Sequence, residues 1–235
     1  MGPARLALGD GTLQYGRLAL ENGRIADILA GDGPVDFGLP PNATVAPGMI
    51  DVHTNGADDM LFNRDQGNAV PVASRFYAEM GATAFVATIM TAPWESMLHA
   101  ASEVAEAAHG LAERAEPLGA RCIGIHVEGP FLNPKFRRVH RADWLLPATV
   151  ERAKGLLEAC HGTLVIATMA PEVEGVDEAA RYFFDQGVVC AAGHTAAKYR
   201  EGILAIGLGF RTLTHAFNAM PPLDHRDPSI LAAFI

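Results

Sequence analysis

Three cysteines, Cys122, Cys160 and Cys190, are all that the chain contains, and no two of them stand in CxxC spacing. An odd, unclustered set suggests neither a disulfide framework nor a thiolate zinc site, so they read as buried apolar thiols. Long apolar runs are also lacking. No stretch approaches the roughly 18 uninterrupted residues of a membrane span, and the N-terminus, MGPARLALGDG, carries no apolar leader core, so a cytoplasmic location is expected. Positive charge is in short supply, with 18 Lys and Arg against 27 Asp and Glu, a formal net charge of -9. That balance argues against a nucleic-acid surface and requires any anion site to be local. Neither a GxGxxG nor a P-loop follows the first apolar strand, which disfavours a nucleotide-binding sheet.

What is present is enough apolar residue, 49% of 235, to build a sizeable core in one large domain or two small ones. Residues 1–48 alternate in short runs such as GRLAL and RIADIL around Asn22-Gly23, a strong hairpin signal, and read as a small β domain. From Val45 the pattern changes. Six apolar runs each end in polar residues: ATVAPGMIDVHTN, ATAFVATIMTAP, CIGIHVEGP, TLVIATMAPE, VVCAAGHT and FRTLTHAFN. Between them PWESMLHAASEVAEAAH, PATVERAKGLLEACH and VDEAARYFFDQ repeat apolar residues every three or four positions, as helices do. Strand and helix in alternation imply parallel strands covered by helices. Polar residues at the C-terminal ends of several strands favour a (β/α)8 barrel over residues 49–235, because barrel sites assemble there. Six strands leave this barrel incomplete, two βα units short of closure, with a last helix expected over PSILAAFI.

Four strand ends carry metal-ligand chemistry: His53 in DVHTNG, Glu128 in HVEGP, His194 in AAGHTAA and His215 in LTHAFNAM. A single histidine of this kind is more often a hydrogen-bonded core or loop residue. Their recurrence at strand ends points instead to a divalent metal, since two imidazoles and a carboxylate hold a zinc-like ion with a position open for water, whose pKa falls from about 15.7 to about 7. Iron, cobalt or manganese suits the same set. His99, His109 and His161 lie in or beside helical segments and are given no role, nor is His225. Asp58 and Asp59 are read as a solvated loop. The turn NAMPPLDHR adds Asn218 and Ala219, whose backbone amides suit an anion, and Arg226, whose fork suits a phosphate. Lys135, Arg137, Arg138 and Arg141 form a basic cluster that suits anion attraction or simple solvation.

Taken in order, PGMIDVHTNG, GATAFVATIMT, GIHVEGPFLNPKFRRVH, MAPE, AGHTAA and THAFNAMPPLDHRDP resemble the N-acetylglucosamine-6-phosphate deacetylases of the amidohydrolase superfamily. The resemblance implies a metal-dependent deacetylase on a (β/α)8 barrel, with a small β domain built from both chain termini and a homodimeric assembly. Glu128, His194 and His215 match the family's principal metal ligands. His53 matches the first histidine of an HxH pair that helps some members bind a second metal, but Asn55 replaces the second. One firm metal is therefore implied, with His53 at a weaker second position or orienting the substrate, and Asn55 among the substrate-binding positions. His140 matches the histidine that contacts the amino sugar near the scissile amide, where it would stabilise the developing oxyanion. Asn218, Ala219 and Arg226 match the positions used for the sugar phosphate.

Two departures stand out. Relatives commonly read Lys-Lys-Gly-Ala-His where this chain reads Phe136-Arg137-Arg138-Val139-His140. The family's aspartate at the end of the eighth strand, its general base and acid, has no counterpart here. The expected reaction is hydrolysis of the acetamide of N-acetylglucosamine-6-phosphate to glucosamine-6-phosphate and acetate. A catalytically incomplete fragment binding metal or sugar phosphate, and an amidohydrolase acting on another N-acyl sugar or a cyclic amide, are the alternatives.

Overall fold

Asn22 and Gly23 lie at φ +51° and +72°, the paired left-handed conformations that a type I′ hairpin turn requires. The turn joins β2 (Leu13–Glu21) to β3 (Arg24–Ala30); with β1 (Ala4–Ala7) and β4 (Thr44–Val45) they form a four-stranded sheet in the order β3-β2-β1-β4. In the computed structural model, which describes residues 1–114 and 117–235, this sheet belongs to a compact unit, Met1–Met49, and the remainder to a second, Ile50–Ile235. The first unit has a small core of Ala4, Leu6 and Leu18.

The second unit is built from β5 (Met49–Thr54), a short ribbon of β6 (Gly56–Ala57) and β7 (Met60–Leu61), α1 (Phe62–Asp65), α2 (Ala69–Glu79), β8 (Ala82–Met90), α3 (Trp94–Ala112), β9 (Arg121–Glu128), α4 (Val150–Ala159), β10 (Leu164–Met169), α5 (Val176–Asp185), β11 (Val189–Ala192), α6 (Tyr199–Leu208), β12 (Phe210–Leu213) and α7 (Leu231–Phe234). The helices expected from three- and four-residue apolar spacing form as α3, α4 and α5. Thr149 begins α4, its hydroxyl accepting a hydrogen bond from the Arg152 amide at 3.2 Å. The last expected helix is reduced to four residues, because Tyr199 N–H engages Pro228 O and Ser229 bridges Lys198 before the helix starts.

Six strands make one sheet in the order β12-β11-β10-β9-β8-β5, and the pairs from β8 to β12 are parallel. This is the strand-helix alternation of a partial (β/α) barrel. Its curvature is visible in side chains. Thr168 on β10 and Thr214 just past β12 sit on strands two apart, about 9.5 Å in a flat sheet, yet their hydroxyl oxygens are 2.7 Å apart. His126 on β9 likewise reaches the Val52 carbonyl on β5 at 3.2 Å, across β8. Only a sheet curled around that face brings such atoms together. Its two edges are β5 and β12, and on β5 Ile50 and Val52 are exposed.

On the convex side the helices cover one continuous core that includes Phe85, Ile89, Ile125, Val127, Met169 and Phe183. Phe85 is fully buried and lies 5.2 Å from the Tyr77 ring and 6.2 Å from that of Phe62. Phe85→Ala is predicted to lower the unfolding free energy by about 3–5 kcal/mol, the cost of lost burial plus the cavity left behind. A urea titration checks this; a loss below about 1 kcal/mol would show that Phe85 does not anchor the helical layer.

Candidate metal centre

Residues alternate faces along a strand, so β9 sends Ile125 and Val127 into the helical core and His126 and Glu128 to the concave side. A register irregularity around Gly124 sets that phase. A Cβ on Gly124 would come within 2.7 Å of Val165, and its φ of +158° suits glycine. Beyond Glu128 the chain turns sharply. Thr91 donates from its amide and hydroxyl to the Glu128 carbonyl at 3.0 and 3.1 Å, and Gly129 N–H is held by the Thr168 carbonyl at 3.0 Å. The fit is close enough that a Cβ on Gly129 would stand 2.1 Å from the Thr91 hydroxyl.

Four imidazoles converge on the Glu128 carboxylate. Nε2 of His215 and His194 lie 2.8 and 3.0 Å from its Oε1, and Nε2 of His53 and His140 lie 3.5 and 3.7 Å from its Oε2. The ligand atoms of His53, Glu128 and His215 form one group within 4.8 Å, and those of Glu128, His140 and His194 form another. The buried carboxylate is thus common to both. All four strand-end candidates meet here, and His140, carried in by the loop after β9, joins them.

That loop is tied at several points. Asn133 N–H donates to the His194 carbonyl at 2.9 Å, Phe136 N–H to Asn133 O at 3.0 Å, and His140 N–H to Arg137 O at 3.0 Å. Arg137 Nη1 returns to the His140 carbonyl at 2.7 Å. His140 ends 3% exposed, its ring 4.6 Å from that of His194.

The donor set fits a cation. His194 Nδ1 lies 3.0 Å from the Phe136 carbonyl, which only accepts, so Nδ1 carries the proton. A neutral His194 then turns its Nε2 lone pair toward a carboxylate oxygen 3.0 Å away. Two acceptors at that distance need a positive charge between them, either an imidazolium proton or a metal. Among the described residues the buried Nε2 atoms of His53 and His140 have no hydrogen-bond partner, which leaves both for a cation or a bound molecule. Residues 53, 128, 194 and 215 therefore suit a divalent metal, with 140 beside them.

Electrostatics agree. Burial opposes ionisation of Glu128, but hydrogen bonding with His194 and His215 and the nearness of His53 outweigh it and hold the carboxyl well below its ordinary range. Its hydrogen bond to Glu128 raises His215, against burial. Burial lowers His140 to about 4, although Glu128 pulls the other way. Backbone conformation is unusual here too: His194, His215, Phe217 and Ala219 have φ of +49°, +56°, +70° and +53°. Left-handed non-glycine residues cost of order 1–3 kcal/mol each and collect at functional sites.

Beside the carboxylate lies a cavity of about 260 Å³, lined by residues that include Asn55, Glu128, Arg138, His140, Asn218 and Ala219. Among the described residues the buried Oδ1 of Asn55 has no hydrogen-bond partner. Asn218 N–H donates to the His215 carbonyl at 2.6 Å and Ala219 N–H to the Asn218 Oδ1 at 2.8 Å, so both amides singled out as anion donors are internally engaged. Arg226 is exposed and is not among the residues lining this cavity. The basic cluster divides: Arg141 pairs with Asp143 at 2.9 Å and stacks on Trp144, Lys135 lies over Phe136, Arg137 braces the loop, and Arg138 reaches the cavity.

Two residues without an assigned role support this centre. His126 lies beneath it: its Nδ1–H donates to Val52 O, its Nε2 accepts from the Thr168 hydroxyl at 2.6 Å, and Thr168 accepts in turn from Thr214. The order follows from the carbonyl, which fixes the tautomer. His126 thereby braces the backbone next to His53, whose ring packs edge-on at 4.7 Å. Its sequence signal is the two-residue spacing to Glu128. Glu172, the last residue of MAPE, accepts from Asn133 Nδ2 at 2.8 Å and from Thr195 Oγ1 and Ala196 N–H at 2.5 Å each, joining the loop after β9 to the turn after His194. Its signal is an acidic residue at the end of an apolar run.

Burial, with the nearby His53 adding to it, lowers His126 to about 4. The unfolded chain protonates this ring near pH 6.5, so between about pH 6.5 and 4 the unfolded state binds more protons and stability falls with acidification. For the metal-free chain, His126 is predicted to contribute a loss of roughly 3 kcal/mol across that window. His126→Gln should flatten the dependence measured by urea titration at successive pH values. An unchanged slope would exclude His126 as its source.

No protein-family model matches the chain. Among curated proteins it is 32% identical over 215 residues to the N-acetylglucosamine-6-phosphate deacetylase of Vibrio furnissii, covering 91% of this chain and 53% of that protein. The Bacillus subtilis deacetylase of the same name is 32% identical over 192 residues, covering 82% and 48%. The chain thus spans about half the length of these relatives. Among solved structures, the N-acetyl-D-glucosamine-6-phosphate deacetylase of Mycobacterium smegmatis superposes with a TM-score of 0.88 at 31% identity, over 98% of this chain and 60% of that one. An aspartate-to-alanine variant of the Mycobacterium enzyme, in complex with N-acetyl-D-glucosamine-6-phosphate, gives 0.86 at 30% identity, over 98% and 59%. Over about half the length of these proteins, the chain is similar in sequence and in structure to N-acetylglucosamine-6-phosphate deacetylases.

Proposed function

We propose that the unit over residues 49–235 serves metal-dependent hydrolysis of the acetamide of N-acetylglucosamine-6-phosphate, yielding glucosamine-6-phosphate and acetate in amino-sugar breakdown. The observation that carries this reading is the convergence of four imidazole Nε2 atoms on the buried Glu128 carboxylate at the C-terminal end of parallel strands. Glu128, His194 and His215 would hold the metal, zinc in the first instance, with His53 at a weaker second position. Such an ion acts as a Lewis acid and lowers the pKa of a bound water toward neutrality.

The chain's own residues do the rest. His140, lowered to about 4 by burial, is neutral at pH 7, and its unpartnered Nε2, in the tautomer that carries the proton there, would donate a hydrogen bond to the amide oxygen as negative charge grows on it. Asn55 offers its unpartnered Oδ1 as an acceptor for the sugar or its amide N–H. Asn218 and Ala219, which line the cavity, and Arg226, which is not among its lining residues, are assigned to substrate binding around the phosphate. The proton that the departing amine needs is assigned to no residue of this chain. A homodimer and a cytoplasmic location belong to the same reading; among the described residues no helix is long and apolar enough to cross a membrane.

The test is acetate release from N-acetylglucosamine-6-phosphate by the zinc-loaded chain, with N-acetylglucosamine and a cyclic amide beside it. Release from the phosphorylated sugar alone is expected. Turnover only of the cyclic amide would replace the substrate class, and metal and sugar-phosphate binding without turnover would favour the incomplete-fragment reading.

A further inference from the structure

An acidic protein that receives a phosphorylated sugar has to place at least one cation where the phosphate arrives. The amides of Asn218 and Ala219 are engaged within their own turn, and Arg226 is not among the cavity's lining residues. Arg138 is. It contributes to the lining that also contains Asn55, Glu128, His140 and Asn218, and no ion pair to a carboxylate is found for it among the described residues. Its backbone lies at φ +53°, a conformation that disfavours any side chain and normally selects glycine. Arg137 braces the turn through the carbonyls of Arg138 and His140, at 3.4 and 2.7 Å. A strained, braced position thus carries a long, flexible cation in the lining of the cavity.

We propose that Arg138 is a specificity-determining residue that pairs its guanidinium with the phosphate of the amino sugar. This rests on the substrate class proposed above. A planar fork with no internal carboxylate partner is free to engage two phosphate oxygens, and the exposed position lets the side chain follow the substrate as it enters. The strain is then the cost of holding that charge beside the metal centre.

The experiment is calorimetric binding of glucosamine-6-phosphate, glucosamine and inorganic phosphate to the zinc-loaded chain, for the wild type and for Arg138→Ala, Arg138→Lys and Arg138→Gly. Arg138→Ala is expected to weaken glucosamine-6-phosphate about 10-fold or more while leaving glucosamine unchanged. Arg138→Lys should recover part of the loss. Arg138→Gly should lose affinity as alanine does with a thermal midpoint no lower than the wild type, which separates the charge from the fold. Inorganic phosphate should bind far more weakly than the sugar phosphate, because the cavity recognises both parts. If the wild type binds glucosamine-6-phosphate and Arg138→Ala binds it equally well, the assignment of Arg138 is overturned while the substrate class stands. If the wild type prefers glucosamine-6-phosphate to glucosamine by nothing at all, both fall together.

Discussion

Exchanging Glu128 for glutamine is expected to lower the affinity of the chain for zinc by at least about 100-fold. Removal of a group that merely orients a ligand typically costs 10- to 100-fold, and Glu128 is the shared centre, with four Nε2 atoms within 3.7 Å of its carboxylate. Glutamine preserves the volume, so the loss reports charge and ligation rather than packing. The same change places an amide N–H₂ or a neutral oxygen against His194 and His215, and His215 loses the carboxylate that raises its pKa. Competition with a chelator of known affinity gives the ratio directly. Equal zinc affinity in the two proteins would remove Glu128 from the centre and with it the whole constellation.

Glu172→Ala is expected to have the second-largest effect, on stability and on the metal centre together. The carboxylate accepts three hydrogen bonds from two separate segments, the loop after β9 and the turn after His194. Bonds to a charged acceptor contribute roughly 1.5–3 kcal/mol each, reduced where the site is partly exposed. A loss of about 3 kcal/mol is therefore expected, read from urea titration. Because the same turn carries His194, zinc affinity should also fall by about 10-fold. Glu172→Gln keeps one accepting oxygen and should recover much of both. A stability loss with unaltered zinc affinity would confine Glu172 to the fold and leave His194 positioned by other contacts.

The sequence was most legible where chemistry and periodicity coincide. Polar residues at the ends of apolar strands marked His53, Glu128, His194 and His215, because in a curled parallel sheet those ends share one rim. Asn22-Gly23 was readable for a local reason, since few other pairs accept two left-handed conformations. His126 was not readable as a support. A lone histidine in an apolar strand looks like any buried core histidine, and its partners, Val52 and Thr168, lie 74 and 42 residues away in sequence. Glu172 was hidden similarly, because its role consists of bonds to segments that only the curled sheet brings near. The phosphate donors show the converse. Asn218 and Ala219 have the right local turn, but their amides are satisfied within it, and no local pattern reveals that Arg226 stays outside the cavity lining while Arg138 enters it. Of the histidines set aside in helical segments, His161 bonds Ser102 at 2.9 Å and His109 meets the His161 carbonyl at 3.2 Å, contacts that tie helical segments together away from the metal centre.

The central claim is that these strand ends hold a divalent metal on Glu128, and crystals of the zinc-loaded chain test it most directly, by anomalous diffraction on the two sides of the zinc absorption edge. The account predicts a dominant anomalous peak bonded by Glu128, His194 and His215, with any second, weaker peak beside His53. A peak elsewhere, or none in crystals grown at saturating zinc, would contradict it.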